Sequence, residues 1–125
     1  MNIGGNEIGF LFNVRARINL AQLTETKSLD KIDDLFEGAE GDVVNNVYRV
    51  ARVLNHEYEV KKRKDHGAKV DLTENYALIK RDDLDEMDNF EYNEFVREII
   101  GVLTGERTVE AEPKKGKKTK AKPSN

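Results

Sequence analysis

Between Asp42 and Lys64, in DVVNNVYRVARVLNHEYEVKKRK, apolar residues recur at the spacing of an amphipathic helix. At 100° per residue, Val43, Val44, Val47, Tyr48, Val50, Ala51, Leu54 and Tyr58 share one broad face. Asn45, Arg49, Arg52, His56 and Glu59 fall opposite. Asp42 is placed to cap the first amides, and Lys61 to Lys64 suit the negative end of the helix dipole. Such a helix is about 34 Å long, enough to span a small domain. Val53 and Val60 lie seven residues apart on the otherwise polar side. They suit either lateral packing against a neighbouring helix or, with Arg49 and His56, a partner-binding surface.

The remaining pattern is also helical. Residues 1 to 12, MNIGGNEIGFLF, predict a short extended segment or hairpin with Ile3, Ile8, Phe10 and Phe12 inward. Asn13 opens a helix to Leu23, with Val14, Ile18 and Ala21 inward and Arg15, Arg17 and Gln22 outward. Ser28 opens the next, in which Leu29, Ile32, Leu35 and Phe36 recur and Gly38 supplies the stop. Residues 68 to 81 have no clean period; Val70, Leu72, Tyr76, Leu78 and Ile79 are expected to anchor a loop. A short helix near Asp82 to Met87 precedes a last one, from Asn89 or Glu91 to Thr104. The aromatic residues, Phe90 among them, are read mostly as core. The fold class expected is mainly α: a single-domain bundle of four to five helices over residues 1–105, with a short extended N-terminal segment.

Composition changes this picture at the far end. Of the net charge of −3, the last thirteen residues, PKKGKKTKAKPSN, carry +6, which leaves −9 on the rest. Residues 106–125 lose the apolar pattern and are expected to form a disordered lysine-rich tail. Because the body is acidic, nucleic-acid binding through it is not expected. No run approaches the ~18 apolar residues of a membrane span, and the start has no signal-peptide character, so a soluble intracellular protein is expected. Without cysteine there is no disulfide or thiolate chemistry.

Candidate chemistry is sparse. Neither His56 nor His66 has a second histidine at helical spacing, and no cysteine completes a zinc set. The acidic run Asp82, Asp83, Asp85, Glu86 and Asp88 lacks the glycine of a calcium-binding loop and reads as a solvated helix start. The Gly4-Gly5 pair is not followed by a phosphate-loop signature. No catalytic, cofactor or metal residue is nominated.

Three stretches carry a family resemblance: FLFNVRARINLAQL (Phe10 to Leu23), VARVLNHEYEVKKRKDHG (Val50 to Gly67) and LDEMDNFEYNEFVREIIGVLTGERTVE (Leu84 to Glu110) running into the lysines. In that order they resemble the tail assembly chaperones of long-tailed phages, especially those of prophages in Gram-positive bacteria. The resemblance implies a small helical protein that binds the long tape measure protein and keeps it soluble while tail tube protein polymerises. It implies action in the host bacterial cytoplasm and absence from the mature virion. It also implies that a longer product can arise by ribosomal frameshift, with Lys114, Lys115, Lys117 and Lys118 marking candidate slippery codons, and that copies can assemble as a homo-oligomer. The competing expectation is a small helical adaptor or regulatory protein whose tail is a basic nucleic-acid-binding arm.

Overall fold

The computed structural model describes residues 1–105. The expected tail, with Lys114, Lys115, Lys117 and Lys118, lies outside the described residues. The architecture is mainly α: five helical segments with a short N-terminal hairpin. In the hairpin, β1 (Asn2–Ile3) pairs antiparallel with β2 (Asn6–Glu7), and Ile3 stands opposite Asn6. Gly4 and Gly5 turn the chain with φ of +58° and +85°, two successive positive values that only glycine adopts cheaply. Ile3, Ile8 and Phe10 are buried as expected, and Phe12 is half-buried.

Helix α1 (Val14–Ala21) begins at Asn13, whose side chain accepts from the Ala16 amide at 2.9 Å. Its inward face differs from the expected one. Ala16 and Leu20 are buried, while Val14 and Ile18 are 71% and 58% exposed. Both pairs have i, i+4 spacing and lie nearly opposite on the helix, so periodicity alone could not choose between them. Arg15 does not point freely outward: its Nε lies 3.0 Å from both carboxylate oxygens of the buried Glu57. That contact is made in the same rotation that buries Ala16 and Leu20 in the core.

Ser28 opens the next element, as expected, accepting from the Asp30 amide at 3.3 Å. Leu29–Phe36 winds as a 3-10 helix, not an α-helix. With about three residues per turn, Leu29, Ile32 and Leu35 align in one row, which matches their spacing in the sequence. Leu35 is buried, and the other two pack half-buried against the core.

Helix α2 (Glu40–Asp65) is the axis of the molecule. It packs against α1, the 3-10 helix, α3 (Arg81–Asp85) and α4 (Asn89–Leu103). It starts before Asp42, at an Ala39 cap with no side-chain bond, so Asp42 and Glu40 act in the first turn on the dipole. Val47, Val50, Ala51 and Leu54 are buried, and Val43, Val44, Tyr48 and Tyr58 half-buried, on the expected face. Facing them, Phe95 and Ile99 of α4 are buried, and the Phe95 ring meets Phe10 edge-on at 6.1 Å. Asp88 and Glu91 cap α4 reciprocally, at 2.8 Å and 2.9 Å. Gly105, with φ of +76°, follows the last turn.

Candidate partner-binding surfaces

The four residues nominated on the back of α2 do not form one free surface. Val60 is only 1% exposed, and Val53 is half-buried against the core. Lateral packing is thus the reading that holds for Val53, and Val60 is not available as an outward ridge. His56 is engaged as well. Its Nδ1 accepts from the Tyr76 amide at 2.9 Å, and its ring stacks on that of Tyr76 at 5.9 Å and 13°. Arg63 lies over the Tyr76 ring at 4.4 Å. Burial lowers the His56 pKa from its ordinary value; Glu57 opposes this, and Arg15 and Arg52 add to it. Arg49 alone is exposed, donating to Asn46 at 3.1 Å in a shallow polar hollow. Helix α2 is covered on several sides, not on one.

What covers it is held by two buried polar residues that the pattern did not single out. Asn55 donates to the Gly9 carbonyl at 2.9 Å and accepts from the amides of Leu78 at 2.6 Å and Ile79 at 3.2 Å. One side chain therefore ties the N-terminal segment and the return loop to α2. Glu57, buried completely, accepts from Asn13 Nδ2 at 3.1 Å as well as from Arg15. Asn13 thus caps α1 with its oxygen and holds Glu57 with its nitrogen. Asn55 and Glu57 fall about 80° to either side of Val47 on the helical wheel, at the two edges of the apolar face. Polar residues at those edges were the available signal. Gly9 completes the packing: a Cβ there would sit 2.5 Å from the Tyr58 ring.

These ties carry the chain into α3 and so build a cleft between the hairpin, α3 and the start of α4, with a volume of about 330 Å³. Buried Ile3 and Phe95 form its floor, and half-buried Met1 and Met87 its sides. At its lip stands Phe90, 72% exposed. The core role expected for this ring is therefore corrected: it sits in the first turn of α4, on the side away from Phe95 and Ile99. Asp83, Glu86, Glu91 and Glu94 line the same cleft, and no Lys or Arg does so among the described residues.

Several of these carboxylates also hold the local fold. Asp83 accepts from the Lys80 amide at 2.9 Å, Glu91 caps α4, and Glu94 pairs with Arg97. Asp85, outside the cleft, pairs with Arg81 at 2.8 Å. The acidic run is thus largely a set of caps and ion pairs. Among the described residues no group of three or more His, Asp or Glu side chains is arranged to hold a metal ion. Comparison with known proteins finds no matching family model, no curated relative and no similar solved structure. No helix of the described residues is long and apolar enough to cross a membrane.

A second, more open groove runs between α2, the 3-10 helix and α4, lined by Phe36, Val43, Val96 and Ile100. Ile100 is 43% exposed there. The Tyr92 hydroxyl is buried beside it without a hydrogen-bond partner, and burial, followed by Glu40, raises its pKa. The large apolar side chains left exposed are therefore Val14 and Ile18 on α1, Phe90 at the lip of the acidic cleft, Ile100 along this groove, and Leu72, which was expected to anchor its loop but is 52% exposed.

Proposed function

We propose that this chain is a protein-binding chaperone without chemistry of its own, and that it acts as a phage tail assembly chaperone in the host cytoplasm. In this role it binds the tape measure protein, keeps it soluble and helps recruit tail tube subunits. The observation that carries the reading is the cleft with Phe90 at its lip. A large aromatic ring left in water beside an apolar floor does nothing for the fold and suits a reversible apolar contact. A net charge of −9 outside the last thirteen residues keeps such a surface from associating nonspecifically. The three resembling stretches supply the identity of the client.

Co-expression tests this. The tape measure protein is expected in the soluble fraction with the wild-type chain and in the pellet with Phe90→Ser, whose helicity by circular dichroism is unchanged. Equal solubility with and without the chain would remove the proposal. The second reading, an adaptor with a basic arm, is favoured by the six lysines after Pro113. A salt-dependent gel shift lost on replacing those lysines with glutamine would support it.

A further inference from the structure

We infer that the occupant of the cleft is a basic amphipathic helix of the client, docked by one or two bulky apolar side chains and held by Lys or Arg on either flank. This deepens the protein-binding reading and rests on it. The floor offers Ile3 and Phe95, and Phe90 supplies an exposed aromatic wall, so an apolar side chain entering here loses water on several sides. At about 330 Å³ the space is at the small end for ligand pockets and fits side chains better than a whole cofactor. The charge of the walls then selects the flanks. Four carboxylates line the cleft without a Lys or Arg; the Met1 ammonium, the cation among the lining residues, is paired with Glu7 at 3.3 Å, and Arg97 is bound to Glu94. Glu86 is exposed on the outer side of the cleft. An acidic helix would meet repulsion from this wall, whereas Lys or Arg three or four residues from the anchoring side chain reaches the exposed Glu86 and is attracted by the negative charge of the other three, which keep their caps and ion pair. Helix-in-groove docking of this kind reads i, i+3 and i+4 anchors.

The test uses the full chain and a synthetic helical peptide with leucines at i, i+3, i+4 and i+7 and lysines elsewhere, followed by fluorescence anisotropy. A second peptide carries glutamate in place of lysine, and a third has the first one's composition in scrambled order. Only the first peptide is expected to bind, with affinity reduced roughly tenfold or more by Phe90→Ser and by Glu86→Lys. Val14→Ser/Ile18→Ser is expected to bind as the wild type does. Equal binding of the scrambled peptide, or no effect of Phe90→Ser, would show a general attraction to an acidic surface and overturn the assignment. Binding that strengthens roughly tenfold or more when Lys114, Lys115, Lys117 and Lys118 become glutamine would make the chain's own tail the occupant. Self-association abolished by both Ile18→Ser and Phe90→Ser would make it a second copy. Either result overturns the client assignment. If no peptide binds while the wild-type chain still keeps the tape measure protein soluble, the cleft assignment fails and the chaperone reading survives.

Discussion

Asn55→Ala is the most informative single change to the fold. It removes three hydrogen bonds: one to the Gly9 carbonyl and two from the amides of Leu78 and Ile79. The Ile79 amide lies in a buried setting, where an unsatisfied donor costs about 1–3 kcal/mol. The Gly9 carbonyl is also lost to a buried site, while the Leu78 amide is partly buried and can recover some of its loss from water. Together these come to about 3 kcal/mol, from which the better helix propensity of alanine returns about 0.5 kcal/mol. A net loss of about 2–3 kcal/mol is a large share of the ~5–15 kcal/mol typical of a small domain. With a urea m-value of about 1.5 kcal/mol/M, the unfolding midpoint is expected to fall by nearly 2 M. Amide exchange at Leu78 and Ile79 is expected to accelerate more than at Val47 or Val50 in the middle of α2. A midpoint shift below about 0.5 M with those two amides still protected would refute the idea that Asn55 holds the return loop, and with it the route by which α3 is placed against the cleft.

Three further outcomes follow from the same geometry. Gly9→Ala drives a methyl into the Tyr58 ring and is expected to cost about 1–3 kcal/mol; in a Tyr58→Ala background that cost is expected to shrink below about 0.5 kcal/mol, and a full cost there would point to backbone strain. His56 has a folded pKa below its ordinary 6.5, so as the pH falls the unfolded chain takes the proton first. Its contribution is complete above about 6.5 and is lost as the pH drops through that value toward the lowered folded one; the drop in urea midpoint between pH 7.5 and 5.5 is expected to be smaller in His56→Gln, and an identical drop would acquit the histidine. Phe90→Ser is expected to leave thermal stability within about 0.5 kcal/mol of the wild type, because the ring is mostly in water.

Much of the architecture was legible because α2 and α4 carry strong 3.6-residue periods and their ends carry caps that act locally. The inward faces of the short elements were less so. In α1 two apolar pairs compete, and the buried one goes with a contact that local pattern does not show, from Arg15 to Glu57 forty-two residues away. The back of α2 was left open between packing and partner binding for a related reason: a wheel assumes one buried side, whereas a central helix is covered by whatever returns to it. Asn55 and His56 collect a loop with no period of its own, so no pattern within residues 68 to 81 could announce where it would dock. The cleft was hidden for a third reason. Its floor comes from the hairpin and α4 and its rim from α3 and α4, and Phe90 looks like any other core aromatic until its rotation on α4 is known.

The central claim, that the cleft beside Phe90 receives the client, is tested most directly by hydrogen–deuterium exchange of the full chain with and without the tape measure protein. The account predicts new protection in Met87 to Phe95 and in the hairpin around Ile3 and Gly4, with α1 unchanged. Protection confined to Val14–Ala21, with the cleft exchanging as in the free chain, would contradict it.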